Sequence, residues 1–255
     1  MKYPLKDLTF LIPLRADSII RIENMLMSIR YLLKHFDTNI YILHSSAYEN
    51  GILHRILDKS IRYSFIEDYD TIFYRTKYLN QMTLSASTPF VAIWDTDVII
   101  DKNQIIDGII KLREGYDIVY PYDGHFYDTT DIIRELFLKN RDVKVLSKNK
   151  AKMGLIYGTD MKGGAMFVNR DSYIKAGMEN ENFYGWGPED FERYERWKIL
   201  NYKVYQSPGC LYHLTHSRSN NSTFRSMEQM KDSNKERQLT SFSNKEEILK
   251  RMTSI

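Results

Sequence analysis

The chain has 255 residues, 43% hydrophobic and 27% charged, with a net charge of +3. That suffices for one large domain, or a domain with a modest appendage, with a full core, and the charge is too weak to imply nucleic acid as the main partner. The single cysteine, Cys210, excludes a disulfide framework and a cysteine metal cage, and no run approaches the roughly 18 apolar residues of a membrane span.

Leu8 to Leu14 is a continuous apolar run ended by Pro13 and Arg15, the pattern of a buried parallel strand. Asp17 or Ser18 caps a helix whose apolar face is Ile22, Met25, Leu26, Ile29, Leu32, Leu33 and Phe36. Asn39 to His44 reads as a second strand and Ile61 to Ile66 as a weaker third. Arg75 to Leu84 is a predicted helix stopped by Pro89, and Phe90 to Trp94 a strand ending at Asp95-Thr96-Asp97. Ile105, Ile106, Ile109, Ile110 and Leu112 mark a helix closed by Gly115, before a short strand at Ile118 to Tyr120. This alternation over the first 120 residues predicts a βαβ array with a parallel sheet.

Beyond Pro121 the pattern loosens. Tyr122 to Tyr127 reads as a loop, Thr130 to Leu138 as a helix, and Lys144 to Lys152 as a basic solvated loop or part of a cleft for a charged acceptor. Gly163 to Val168 is strand-like, and Asp171 to Ala176 is a short helix ended by Gly177. A helix opens at Pro188, followed by a strand at Lys203 to Gln206 and the turn Ser207-Pro208-Gly209. From Ser217 the chain is polar, with a helical pattern only near Glu246 to Met252. The expected division is one domain over residues 1–220, in halves 1–120 and 121–220, with residues 221–255 a mobile flap or docking helix.

Four features carry chemistry. Phe183-Tyr184-Gly185-Trp186-Gly187-Pro188-Glu189-Asp190 joins an aromatic cluster, broken by glycines, to an acid pair at a helix start. A carboxylate there takes a hydroxyl proton while a flat ring covers a sugar; the competing reading is a helix cap with a core tryptophan. Asp95-Thr96-Asp97 stands at the carboxyl end of a strand, where open α/β sheets bind ligands. From a straight strand only one of the two carboxylates faces an ion; the other takes a hydroxyl or orients the loop. His213-Leu214-Thr215-His216 offers imidazoles that are either structural or ligands, and an aspartate oxygen with imidazole nitrogens favours Mn²⁺ or a similar ion. Arg15, and Arg75 with Lys77, are either solvated or phosphate-binding, and Gly163-Gly164 permits close approach of backbone to a ligand unless it is an ordinary turn.

Five segments, in order, resemble the inverting β-1,4-galactosyltransferase family and its bacterial relatives. Phe10-Leu11-Ile12-Pro13-Leu14-Arg15 resembles the family's opening strand and proline-aromatic-arginine turn. Phe73-Tyr74-Arg75-Thr76-Lys77-Tyr78-Leu79-Asn80 resembles its nucleotide-contacting segment, and Asp95-Thr96-Asp97 its aspartate-valine-aspartate metal motif. Tyr157-Gly158 through Gly163-Gly164-Ala165-Met166 to Gly185-Trp186-Gly187-Pro188-Glu189-Asp190 resembles its glycine-rich strand and tryptophan-glycine-glycine-glutamate-aspartate block. His216-Ser217-Arg218 resembles its histidine-serine-arginine segment.

The resemblance implies a GT-A fold, a Rossmann-like, mostly parallel α/β sheet flanked by helices. It implies transfer of a hexose, of galactose or N-acetylhexosamine type, from a UDP-sugar to a glycan or lipid-linked saccharide, with Mn²⁺ (or Mg²⁺) as cofactor. Asp190 would be the base, with Glu189 beside it on the acceptor. Asp97, His213 and His216 would hold the metal. Pro13, Arg15, Phe73, Arg75, Asp95, Gly164 and Trp186 would bind the donor. Phe191 stands where the family has an acid and Pro188 where it has a glycine, so a different acceptor and a stiffer loop are expected. The alternative is a silent nucleotide-sugar- or glycan-binding protein of the same fold; a metal hydrolase lacks a committed zinc ligand set. The N-terminus shows no signal-peptide pattern, so the chain reads as cytoplasmic, with peripheral membrane contact left open.

Overall fold

The computed structural model describes residues 1–217, 221 and 223–252. In chain order the elements are β1 (Tyr3–Leu14), α1 (Ile19–His35), β2 (Phe36–Ser46), α2 (Ile52–Ile56), β3 (Arg62–Glu67), α3 (Arg75–Ser85), β4 (Phe90–Trp94), β5 (Val98–Ile100) and α4 (Lys102–Arg113). Then come β6 (Ile118–Tyr120), β7 (Phe126–Asp128), α5 (Asp131–Asn140), α6 (Val143–Lys148), β8 (Gly154–Leu155), β9 (Ala165–Asn169) and α7 (Arg170–Lys175). The chain continues through α8 (Glu189–Ile199), β10 (Val204–Gln206), β11 (Leu211–His213), α9 (Met227–Ser241) and α10 (Lys245–Met252). No helix among the described residues is long and apolar enough to cross a membrane.

The main sheet has the order β10-β6-β9-β4-β1-β2-β3. Its neighbours are parallel except at β9, which runs against both β4 and β6. The sheet is therefore mostly parallel, as expected. β2 and β3 build outward on one side of β1, and β4 returns to the other side. This reversal opens a crevice at the carboxyl ends of β1 and β4, where ligands of open α/β sheets bind. Phe10, Trp94 and Phe167 pack together beneath it, with Trp94 and Phe167 stacked at 6.1 Å and the Trp94 indole donating to Ser28 Oγ at 3.1 Å.

A second, four-stranded sheet, β5-β11-β7-β8, closes one side of the crevice. Its register matters more than its size. His213 on β11 lies opposite Val98 on β5 and opposite Asp128 on β7. One late histidine is thereby set beside the residue that follows Asp97 and beside a third carboxylate.

Three expectations are corrected. Tyr122 to Tyr127 is not wholly loop, since Phe126 opens β7, and the three-residue strands β5 and β11 also went unread: each follows directly on the polar or turn residues of a site loop, with too few residues to show alternation. Lys144 to Lys152 is α6 followed by a 3₁₀ turn, anchored by buried Leu146, although its lysines face outward. The polar tail contains α9 as well as the expected terminal helix. α9 packs on α8 mainly through polar groups, Thr240 to Glu192 at 2.8 Å and Arg237 to Glu195 at 2.6 Å, so apolar periodicity could not reveal it. Arg218 and residues 219–220, 222 and 253–255 lie outside the described residues.

Candidate active site

The crevice forms a cleft of about 460 Å³, within the range of small-ligand sites. Into it come Pro13 and Arg15 from the end of β1, Phe73 and Arg75 at the start of α3, and Asp95 and Asp97 after β4. Gly164 before β9, Trp186, Glu189 and Asp190 at the head of α8, and His213 and His216 complete the lining expected from the sequence. Trp186 is half-buried on the wall, packed edge-on against Phe224 at 4.6 Å. The buried core tryptophans are Trp94 and Trp197.

The acid pair after β4 divides its work. Asp95 turns to Arg75, Nη2 to Oδ1 at 2.8 Å, and its amide donates to the Gly164 carbonyl at 2.9 Å. Asp97 faces the histidines: His216 Nε2 is 3.1 Å from Oδ2, and His213 Nε2 is 3.6 Å from Oδ1. Each ring is fixed from behind, with His213 Nδ1 donating to Asp128 at 2.8 Å and His216 Nδ1 to the Ser217 carbonyl at 2.8 Å. A backing acceptor on Nδ1 keeps that proton in place and makes Nε2 the nitrogen that ligates once its own proton is displaced, the usual arrangement behind a metal-ligating imidazole.

The loop carrying the rings is stapled in three places. Leu214 donates its amide to the Asp97 carbonyl at 2.7 Å, Thr215 to Thr129 Oγ1 at 2.9 Å, and buried Asn24 of α1 donates to the Leu214 carbonyl at 2.7 Å.

The donor atoms of Asp97, His213 and His216 all lie within 4.8 Å of one another, close enough to share one cation. Burial would raise the Asp97 carboxyl, but the two imidazoles hold it well below the usual carboxylate range. Burial would likewise lower His213, yet Asp97 and Asp128 push it up to about 9. The site thus favours positive charge, and one oxygen with two nitrogens suits Mn²⁺ or a similar borderline ion.

Across the cleft, Glu189 and Asp190 occupy the first turn of α8, where acids meet the positive end of the helix dipole. Glu189 is buried, and that burial, reinforced by Asp190 and only partly opposed by Arg75, pushes its carboxyl up to about 8. Glu189 Oε2 and Arg75 Nη1 are buried without a hydrogen-bond partner among the described residues, the kind of polar atom that a polar ligand satisfies. The Asp190 carboxylate occupies the space a Cβ on Gly163 would fill, which is why that position has no side chain. Gly164 adopts φ +80° and its Cβ position meets Phe126 at 2.6 Å, so only glycine fits.

Arg15 is more tightly engaged than the sequence suggested. Its guanidinium donates to Asp68 at 2.9 Å, to the Asp70 carbonyl at 2.5 Å and to the Ser45 carbonyl at 3.2 Å, and it lies 5.6 Å from the Phe73 ring centre. Other residues at or behind the cleft went unread. Asp128 and Arg193, which grip His213 and Asp190 from behind, are single charged residues, one just past the stretch read as loop and one within the helix that opens at Pro188. Asn234 and Arg237 come from the unread α9.

Comparison with known proteins agrees with this fold. Residues 145–219 match the family described as the N-terminal domain of galactosyltransferase. No curated protein sequence matches the chain. Among solved structures, the chain is similar to the catalytic domain of Drosophila β1,4-galactosyltransferase 7 in complex with xylobiose. There the TM-score is 0.56 at 15% identity, over 89% of this chain and 77% of that one. GalNAc-T7 with UDP, GalNAc and Mn²⁺ gives 0.62 at 9% identity, over 92% of this chain and 47% of that one. The mannosyltransferase PcManGT of Pyrobaculum calidifontis, with GDP-Man and Mn²⁺, gives 0.55 at 14% identity, over 84% and 59%. The chain has the GT-A fold, and its resemblance to galactosyltransferases is carried by residues 145–219.

Proposed function

We propose that the chain is a metal-dependent, inverting glycosyltransferase that moves a hexose from a UDP-sugar to a saccharide hydroxyl. One observation carries the reading: Asp97, His213 and His216 gather around a single point in the same cleft that Asp190 enters from the head of α8. Relatives of the same fold bound to UDP and Mn²⁺, or to manganese, UDP-Gal and xylobiose, support it.

Mn²⁺ or Mg²⁺ held by Asp97, His213 and His216 would supply the positive charge that offsets a departing diphosphate. Arg75, braced by Asp95, contributes a guanidinium on the same side. Asp190 takes the proton of the acceptor hydroxyl as that oxygen bonds to the anomeric carbon. The bond from that carbon to the phosphate oxygen breaks, its electron pair leaves with UDP, and a single displacement inverts the centre. Glu189, protonated near neutral pH, donates to an acceptor oxygen and leaves Asp190 as the base. Trp186 offers its half-buried face to a sugar ring. The acceptor class is a glycan or lipid-linked saccharide, as in surface polysaccharide synthesis.

Calorimetry and a transfer assay test the proposal together. Mn²⁺-dependent UDP binding is expected to vanish in Asp97→Ala and persist in Asp190→Asn. Transfer by Asp190→Asn should fall by about 10²–10⁴-fold. Unchanged UDP binding by Asp97→Ala removes the metal site, and full transfer by Asp190→Asn removes the base.

A further inference from the structure

Arg193 stands one helical turn beyond Asp190 on α8 and is 1% exposed. Its Nη1 donates to both carboxylate oxygens of Glu179, at 2.6 and 2.7 Å, and its Nη2 donates to Asp190 Oδ1 at 2.7 Å. Glu179 is pinned in turn. Tyr173 donates its hydroxyl to that carboxylate, and Asn80 accepts from the Glu179 amide at 2.9 Å and donates to its carbonyl at 3.0 Å. Burying an ion pair rarely improves stability over apolar residues of the same volume, so its presence under a reactive group calls for another reason.

The geometry supplies one. Asp190 has two oxygens with different fates: Oδ1 is held by Arg193, while Oδ2 makes no hydrogen bond among the described residues and rests over Gly163 in the cleft wall. A carboxylate free to turn about its side-chain torsions would present either oxygen, or neither, to a bound hydroxyl. Tying one oxygen to a rigid, doubly anchored guanidinium removes that freedom. It is paid for in burial and returned as a single orientation.

We propose that Arg193, braced by Glu179, is a positioning residue that fixes Asp190 so that Oδ2 alone meets the acceptor hydroxyl. This rests on the assignment of Asp190 as base. It adds a third layer, Tyr173 and Asn80 behind Glu179 behind Arg193, that connects the catalytic helix to α3 and α7.

Arg193→Met and Arg193→Lys, each with its crystal structure and steady-state kinetics, test the idea. Lysine reaches one carboxylate but not both in the same plane. In Arg193→Met the Asp190 carboxylate should leave its place over Gly163, and kcat should fall about 10²-fold with donor KM and Mn²⁺-dependent UDP affinity nearly unchanged. Arg193→Lys should fall between parent and Arg193→Met in kcat. An Asp190 carboxylate that stays in place, or a kcat near that of the parent, overturns the proposal. If Arg193→Met does not fold, Glu179→Gln decides: a kcat loss at unchanged melting temperature supports positioning, and unchanged kcat refutes it. Absence of transfer by the parent chain with every nucleotide sugar would instead refute the function proposed above, and the crystallographic comparison would still decide the role of Arg193.

Discussion

Glu189 is a carboxyl that folding makes harder to ionise. Its ordinary value of 4.5 rises to about 8 because burial and the neighbouring Asp190 outweigh the attraction of Arg75. Below the ordinary value both folded and unfolded chains hold the proton, so the stability of the protonated form is fully present. As pH climbs toward 8 the unfolded chain releases a proton that the folded chain keeps, and stability is lost across that window. The loss is on the order of 5 kcal/mol at most. Glu189→Gln, which cannot ionise, should therefore gain in melting temperature over the parent at pH 8 much more than at pH 5. Equal differences at the two pH values in thermal denaturation would show that the Glu189 carboxyl titrates normally. At this scale the sequence revealed residue types at the right places: the acids of the 183–190 stretch and the imidazoles stood out by their company. Asp128 and Arg193 did not, because a lone charged residue looks the same whether it is solvated or grips a buried partner.

Among the elements that the sequence concealed, α9 is the longest. Its faces are polar, yet it holds the loop before α8 in place, with Gln229 Nε2 donating to the Trp186 carbonyl at 2.7 Å and Ser233 packed against Gly187. The loop itself needs that hold. Gly185 has φ +89° and would be loose without an external tie. Removing the amide leaves the Trp186 carbonyl without that donor, at a cost of about 1 kcal/mol. Gln229→Ala should speed amide exchange at Gly185 to Gly187 about 5-fold, with the core strands unaffected. Exchange unchanged in that loop would mean that α9 merely covers it. The longer α1 was legible for opposite reasons. Its apolar face repeats at helical spacing, and Ser18 caps it by accepting from the Arg21 amide at 3.2 Å. Its boundary was misjudged by one residue, since Phe36 already belongs to β2.

For the whole molecule, the sheet order brings the ends of β1 and β4 to one crevice, and the small sheet carries β11 to its rim. A ligand held there touches both halves of the chain, so it should stabilise the fold as a unit. UDP with Mn²⁺ at about 100 times its dissociation constant adds about 2.7 kcal/mol, or roughly 5–10 °C in melting temperature for a domain of this size. UDP alone should give a small fraction of that shift, and a thermal-shift assay showing equal shifts with and without Mn²⁺ would contradict a shared metal and nucleotide site. The sequence by itself determined the α/β character, the strand and helix succession over the first half, and the chemical types at the cleft. Those depend on local periodicity and on residue chemistry, which survive in one dimension. Only the tertiary structure decided that Asp97, His213 and His216 meet, that Asp95 turns to Arg75, and that Arg193 grips Asp190. The first depends on strand order and register between segments more than 100 residues apart, the second on how α3 packs beside the end of β4, and the third, though one helical turn apart, on the burial of Arg193 against Glu179; no local pattern encodes any of these.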